Sequence, residues 1–586
     1  MLVLASTPAQ MKRDQTPAPP PNLLNPHRSR GRTTVPGRLG ITLNRAAGRA
    51  RALFDSLEVT LEGRRRSLTL ARLVHRALRG VAAPVPRTPE ASELDEARRL
   101  GPAVRASPGG RNVLVMSFRG WTTHAAFELL VGHALRRRGA NPTFVVCGGG
   151  LPRTELGRPR SDFPLPCAAC RAYVTGMLDA GSLPYVLIDE LVGEEERTEI
   201  ANLVAGEDDL DAFTIEDLRP AEHVVRSTLW VARSGLASRN LNQHLEFREF
   251  VESAAIVARA FARLLDRAQP DVIVMVSGLF FAESVMRALA EQRGIRVVTY
   301  DFPGRPGTIF ASDKIPASFY DVQERWDVRT PPTPAQLERV EQDIAERIRG
   351  SDALWAGFSA SAPPPPAAEG KTRLSLFTNV SWDTAVSLRD IAFADMFDWL
   401  ESVVRWATTR PDVQLDVRAH PAETRLRGFE SNDLAIDFVT ERFPSLPPNV
   451  RLHGPESAVD SYALIQASAA VLVYTSTIGL EAALLGRPVL VAADVHYRGK
   501  GFTHDLTGPD HLERLLEEPS KLTLTPEQHD LALAYAHIFF YDSMIELRSL
   551  DERWRGKPTF SISNTAQLDD DPAIQALCDL ALQGAT

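Results

Sequence analysis

Short β-branched apolar runs, each leading through a loop into a helical pattern, recur in two blocks of this chain. That alternation restricts the fold more than any other feature. In the first block the runs are 113–116 (VLVM), 143–146 (TFVV), 271–276 (DVIVMV) and 295–300 (IRVVTY). Helical spacing covers 125–138 and 283–292, and the stretch 190–268 reads as mostly helical. In the second block the runs are 374–377, 414–417, 450–452, 471–474 and 489–492, with a helix through 396–408. Strands that are apolar throughout are buried on both faces, and strand–helix alternation implies a parallel, doubly wound sheet. The expected class is α/β, with two Rossmann-like sheets.

Breaks in the pattern set the expected domains. Residues 1–40 are rich in Pro, Arg, Ser and Thr with few large apolar residues, a composition expected to stay disordered. Residues 41–105 read as a basic amphipathic segment and linker. There Leu70, Leu73, Val74, Ala77 and Leu78 share one helical face while Arg72, Arg76 and Arg79 lie elsewhere. Such a segment suits docking on the parent domain or contact with an anionic membrane surface through 42–80. Residues 106–330 hold the first sheet. Residues 331–370, with Pro331, Pro332, Pro334 and the run 361–366 (SAPPPP), form a helix and a semi-rigid spacer. Residues 371–525 hold the second sheet, and 526–586 read as closing helices, including 531–540 and 544–554.

Charge is distributed unevenly along the chain. Residues 1–105 carry 19 Lys/Arg against 8 Asp/Glu, and 106–586 carry 47 against 66. A basic head on an acidic body points to an anionic partner for the head and gives no support to nucleic-acid binding by the body. No apolar run reaches the roughly 20 residues that span a bilayer, and the opening residues lack a secretory pattern, so the expected location is cytoplasmic, with peripheral contact to the inner face of the plasma membrane. Four cysteines in 586 residues do not make a disulfide framework. Cys167 and Cys170 have metal-knuckle spacing, with Cys147 as a third candidate, but a structural zinc site wants four ligands, and free thiols are the expected reading. No acidic pair stands at a strand end, so no metal ligands are assigned.

In open α/β sheets ligands bind beyond the carboxyl ends of the strands, which singles out the loops that follow them. The run 471–474 enters Thr475, Ser476 and Thr477, then Gly479 and a helix carrying Glu481. Hydroxyl groups and free N–H groups at such a junction suit a phosphate, and Glu481 suits the hydroxyls of a ribose. After 414–417 come Arg418, His420, Pro421 and Glu423, a fork, a compact donor, a fixed turn and an orienting carboxylate. After 489–492 the loop ADVHYRGKGFTHD places Arg498 and Lys500 between glycines, a cationic loop able to close over a diphosphate. After 374–377 the loop TNVSWD presents Asn379, Trp382 and Asp383 to the cleft. In the first block, SFRGWTTHAAFE carries His124, a candidate general base, with Glu128 one turn on to orient it. Asp301 and Arg305, in YDFPGRPGT, are the rival base and a cation for the acceptor.

TNVSWD, Arg389-Asp390 with MFDWL, RAHPAE, YTSTIGLEAALLGRPVLVA and HYRGKGFTHD, in this order, resemble the C-terminal half of bacterial capsular-polysaccharide biosynthesis transferases. The His-Pro and Ser/Thr elements are also similar to those of GT-B sialyltransferases and Kdo transferases. The resemblance spans roughly 370–510, and the first block resembles the same group more loosely through SFRGWTTHAAFE. It implies a GT-B fold, two Rossmann-like domains with C-terminal helices. It also implies that His420, Ser476 and Thr477 contact the phosphate of a nucleotide-sugar donor, CMP-linked in several such families.

The implied activity is transfer of a sugar from a nucleotide-sugar to a surface polysaccharide or glycolipid, with no cofactor or metal required. The alternatives are a CDP-glycerol-type polyol-phosphate transferase, a sugar-nucleotide 2-epimerase, and a non-catalytic assembly factor on the same fold.

Overall fold

The computed structural model describes residues 87–101, 107, 109–157, 166–348, 362–426, 428–551 and 557–583. The expected disordered tail, the basic helix at 42–80 and residues 349–361 of the expected spacer lie outside the described residues. Among those described, the first sheet contains β1 (Asn112–Met116), β2 (Asn141–Val146), β3 (Tyr185–Leu187), β4 (Val272–Val276), β5 (Arg296–Asp301) and β6 (Thr308–Ser312). The second contains β7 (Thr372–Phe377), β8 (Val413–Arg418), β9 (Val450–His453), β10 (Ala470–Val473), β11 (Val489–Val491) and β12 (His504–Asp505). A late strand, β13 (Ile545–Glu546), returns to the first sheet.

The second sheet runs β9-β8-β7-β10-β11-β12, all parallel. Numbered within the sheet this is the order 3-2-1-4-5-6 of doubly wound dinucleotide-binding folds, whose ligand crevice opens between strands 1 and 4. The first sheet repeats the parallel core, β3-β2-β1-β4-β5, and adds β6 and β13 in antiparallel pairing at its edge.

Side-chain alternation explains why the strands read as unbroken apolar runs. Val113 and Val115 of β1 enter the core on one face of the sheet, and Leu114 and Met116 the core on the other. In β10, Val471 and Val473 pack into one cluster, and Leu472 with Tyr474 just beyond the strand into the opposite one. Each such fully buried aliphatic side chain contributes about 1.5–3 kcal/mol of transfer free energy.

Both sheets lie in one compact unit. The segment after helix Pro220–Ala232 ties the two halves together. Asn432 Nδ2 donates to Ala232 O at 2.6 Å, Leu236 N donates to Asp433 Oδ2 at 3.0 Å, and Arg239 pairs with Asp395 at 2.7 Å. Gly235 sits where a Cβ would fall 2.6 Å from that of Ser381, so the backbones can meet only at a glycine.

The closing segment differs from the expected block of helices. Helix Pro526–His537 packs with helix Pro334–Ile348, so that Val340, Ile344 and Tyr535 share a core with β10 and β11. Helix Pro572–Leu582 instead crosses to the first sheet, burying Ile574, Leu577 and Cys578 there. The helix expected at 544–554 is corrected to an edge strand. Met544, Leu547 and Leu550 imitate helical spacing, but Ile545 and Glu546 pair with Ile309 and Thr308. Helix Ala91–Arg99, at the end of the expected linker, packs on the first core through Ala97.

Candidate functional site

Strand register alone places three loops side by side. Phe377 of β7 is level with Val473 of β10 and with Arg418 of β8. Two residues further along each chain, Asn379, Thr475 and His420 stand at the carboxyl edge, at the crevice between strands 1 and 4 of that sheet. The hydrogen bonds agree. Thr475 N donates to Asn379 Oδ1 at 3.2 Å, spanning the crevice, and His420 N donates to Thr378 Oγ1 at 3.1 Å. The hydroxyl of Thr475 is buried and has no hydrogen-bond partner among the described residues, an unmet polar group at the mouth of the crevice.

His420 has a defined tautomer. Ala422 N donates to its Nδ1 at 3.1 Å, so the ring proton resides on Nε2. Burial holds the imidazole neutral by pushing its pKa down to about 4, against the opposing pull of nearby Asp383. His420 is thereby a fixed N–H donor rather than a proton carrier at neutral pH.

The loops brace one another. Tyr497 Oη donates to Ser476 O at 2.5 Å, and its hydroxyl lies 2.2 Å from where a Cβ on Gly479 would stand, so Gly479 is needed for the close approach. Ser476 Oγ accepts from Ile478 N at 3.4 Å, and Thr477, half-buried, begins helix Ile478–Leu484 without capping it through its side chain. Arg389, in the long loop after β7, reaches the loop after β11, its Nη2 lying 2.9 Å from Asp494 Oδ2. Tyr474 donates to Asp390.

Several residues expected to meet a ligand are instead occupied by the protein. Arg418 is buried, and its amino groups donate to the carbonyls of Gly454 and Ser457. Glu423 is buried and accepts from the backbone of Ala435, bracing helix Ala435–Arg442. Glu481 accepts from Arg347 Nη1 and from Tyr462 Oη, each at 2.9 Å, which ties helix Pro334–Ile348 to the second sheet. Arg498 donates to the carbonyls of Val491 and Leu506, and Lys500 is buried against Gln323, so this loop is pinned rather than free to close. Trp382 is fully buried, donates to Ser431 Oγ at 2.9 Å and packs edge-on against Trp230 at 5.2 Å, a strut between the halves. Arg305 donates to Phe540 O at 2.6 Å and lies over Tyr541, away from an acceptor role.

Across the cleft, β5 ends at Asp301. Its carboxylate accepts from Phe302 N at 2.8 Å and from Ser318 Oγ, and burial raises its pKa. Asp383 lies within electrostatic reach of both Asp301 and His420, and Tyr320 within reach of both carboxylates. Asp383, in the loop after β7, therefore lies near both Asp301 at the end of β5 and His420 after β8. His124 is drawn instead into an aromatic group with Trp121, Tyr300 and Phe302. Its Nδ1 lies 3.4 Å from Tyr300 Oη, which donates to Glu128 Oε1 at 2.9 Å. Burial pushes His124 down to about 3 and Glu128 up to about 8.

Thr378, Tyr300, Ser318 and Tyr320 were not singled out from the sequence. The register of β7 against β8 would have marked Thr378. Tyr300 is the penultimate residue of β5, and nothing in its run marks it as polar machinery, while Ser318 and Tyr320 depend on β6 and the turn behind it, a strand whose apolar run is too short to stand out.

The free cysteines Cys147, Cys167 and Cys170 line a small pocket beside Arg119 and Arg171, with Cys170 Sγ accepting from Gly120 N at 3.1 Å. Burial pushes the Cys167 thiol up to about 11, which disfavours the thiolate. No group of three or more metal-ligating side chains is found among the described residues, and no described helix is long and apolar enough to cross a membrane.

Residues 355–538 match the family model described as "Capsule polysaccharide biosynthesis protein". No curated protein matches the sequence. Among solved structures, a Thermosulfurimonas dismutans KpsC domain, a beta Kdo 2,4 transferase, is 16% identical, with 53% of this chain and 87% of that chain covered at a TM-score of 0.31. Its beta Kdo 2,7 transferase counterpart is 17% identical, with 47% and 79% covered at 0.28. The calicheamicin glycosyltransferase CalG4 is 14% identical, with 80% and 98% covered at 0.27. TM-scores this low carry no functional conclusion. The matched segment 355–538 holds the parallel second sheet and helix Pro526–His537, so this part of the chain is similar to the capsule polysaccharide biosynthesis family, and two doubly wound sheets in one unit have the layout of a GT-B fold.

Proposed function

We propose that the protein is a glycosyltransferase that moves a sugar from a nucleotide-sugar to a glycan or glycolipid acceptor in capsule synthesis. The observation that carries this is the alignment of Asn379, His420 and Thr475 at the crevice of the 3-2-1-4-5-6 sheet, with Asp301 of the other sheet within electrostatic reach of Asp383 in the Asn379 loop. His420 Nε2–H and the hydroxyls of Thr475, Ser476 and Thr477 hold the donor phosphate. Fixed donors of this kind stabilise the charge that grows on a leaving phosphate without reorganising.

Asp301 is the base. It takes the proton of the acceptor hydroxyl as that oxygen bonds to the anomeric carbon and the sugar–phosphate bond breaks, the electron pair leaving with the nucleotide. A raised pKa makes it a better proton acceptor than His124, whose conjugate acid is far too strong near neutrality. His124, Tyr300 and Glu128 position the acceptor side of the cleft. The leaving group is stabilised by protein donors, with no metal required.

Thermal unfolding of the full chain with a panel of nucleoside mono- and diphosphates tests the reading. A selective rise in Tm with one nucleotide is expected, and a response to CMP alone would support a CMP-linked donor. No shift with any nucleotide would overturn the proposal.

A further inference from the structure

The turn Ala317–Phe319 and the adjoining Tyr320 stand between two unlike charge environments. On one side Ser318 donates to Asp301, and Tyr320 lies within reach of Asp301 and Asp383. On the other side the Phe319 ring carries two guanidinium groups. That of Arg389 lies 4.2 Å from the ring centroid and that of Arg226 lies 5.5 Å from it. The first comes from the loop after β7 and the second from helix Pro220–Ala232 of the other half. Trp230, one turn beyond Arg226 on the same helix, packs on Trp382, which fixes that helix face toward the cleft.

The two arginines are not equivalent. Arg389 is neutralised by Asp494, through a 2.9 Å ion pair and a 2.9 Å bond to its carbonyl. Among the described residues the guanidinium of Arg226 has no hydrogen bond and no ion pair, and its Nε is buried without an acceptor. The charged groups within electrostatic reach of it are Arg389 and Arg287, both cations. Arg287 already pairs with Glu291 at 2.9 Å. A partly desolvated guanidinium that faces like charges and lacks a counter-ion is unfavourable to folding. An incoming anion would relieve it.

We propose that Arg226 and Arg389, stacked on Phe319, form an anion subsite for a carboxylate or phosphate group carried by the substrate whose hydroxyl meets Asp301. This rests on the transfer reading above and adds to it that the substrate is acidic beside its reacting centre. Ser318, on Asp301, and Phe319, under the guanidinium groups, are consecutive residues of one turn, which puts the anion subsite beside the reacting hydroxyl. The planar fork of Arg226 suits two oxygens of such an anion.

Calorimetric titration of the full chain with inorganic phosphate and, separately, with acetate tests the subsite in wild type, Arg226→Met, Arg226→Lys and His420→Ala. At least one anion should bind wild type saturably, bind Arg226→Met at least tenfold more weakly and bind Arg226→Lys at an intermediate strength; in His420→Ala, which removes a donor from the separate nucleotide-phosphate site, the Arg226-dependent binding should persist. A response to acetate alone assigns the group as a carboxylate, and one to phosphate alone as a phosphoryl group. Without anion, Arg226→Met should melt at or above the wild-type temperature, because an unpaired cation is gone. A lowered Tm with unchanged anion affinity would mark Arg226 as a structural support for Phe319 and overturn the proposal. So would the absence of saturable binding to wild type, or its loss in His420→Ala rather than Arg226→Met. The Lys variant keeps the test open if the Met variant does not fold. A nucleotide panel without effect, alongside Arg226-dependent anion binding, would remove the transfer reading and leave the subsite standing.

Discussion

The two sheets share a strand order yet treat the crevice between strands 1 and 4 in opposite ways. In the first sheet that position is filled from within. Arg119, beyond β1, binds both oxygens of Glu283, beyond β4, at 2.8 and 2.9 Å, and its Nε lies 3.1 Å from Glu155. The guanidinium is packed against Phe118, Trp121 and Phe280, and all three charged side chains are under 5% exposed. In the second sheet the same position is bridged by one backbone-to-Asn379 bond and leaves Thr475 Oγ1 without a partner. Strand order fixes where a crevice lies. Whether it can receive a ligand depends on whether the protein's own side chains already occupy it.

The comparison implies that the first half acts through the end of β5 rather than through its crevice. Asp301→Asn should then lower kcat by about 10²–10⁴-fold with little change in KM for the nucleotide-sugar. Steady-state rates with a defined acceptor measure this. A loss shared equally with His124→Ala would return the base to the aromatic group beside Tyr300. Arg119→Met should instead act on stability, leaving two buried carboxylates without their cation. A loss of about 3–5 kcal/mol in urea unfolding is expected, with nucleotide response retained by the folded protein. Loss of nucleotide response without loss of stability would show that the filled crevice also serves the ligand.

Part of this contrast was legible in the sequence and part was not. Strand β10 is an unbroken apolar run and β7 and β8 alternate apolar with buried polar residues, so their ends, and with them Asn379, His420 and Thr475, could be counted off directly. The fate of the charged neighbours could not. Glu481 is consumed by Arg347 and Tyr462, and Lys500 by Gln323, partners 134, 19 and 177 residues away that no local pattern indicates. Edge elements failed for a different reason. The two-residue strand Ile545–Glu546 exists only because β6 offers it hydrogen bonds, and its apolar neighbours sit at spacings a helix would also use. Arg226 carries no motif at all, since its distinction is the lack of an ion pair among the described residues.

Glu128 tests how far the first half tolerates charge. It is 2% exposed, and burial lifts its pKa to about 8 from the ordinary 4.5. Between those values the folded chain keeps a proton that the unfolded chain has lost. Its contribution to stability is therefore fully present below pH 4.5 and disappears as the pH rises through 8, at up to about 1.4 kcal/mol per pH unit. Glu128→Gln keeps an acceptor for Tyr300 without the charge. Its stability relative to wild type should rise from pH 5 to pH 8 and then level off, read from urea midpoints at pH 5, 6.5, 8 and 9. A difference independent of pH would mean that Glu128 is ionised in the folded protein.

His420 gives the smallest and sharpest contrast, because it tests a single donor on the open crevice. A hydrogen bond to a charged partner is worth about 1.5–3 kcal/mol, so His420→Ala should weaken nucleotide binding by roughly ten- to a hundredfold. His420→Gln, which can still present an N–H, should recover part of the loss. Because Ala422 N occupies Nδ1 and burial holds the ring neutral, with a pKa near 4, donation from Nε2 should not change across neutral pH. Affinity for a nucleotide should then stay flat between pH 6.5 and 8, where the phosphate itself is largely ionised. A fall across that window that vanishes in His420→Gln would instead mark a protonated imidazolium, and would make the second crevice a charged site as the first one is.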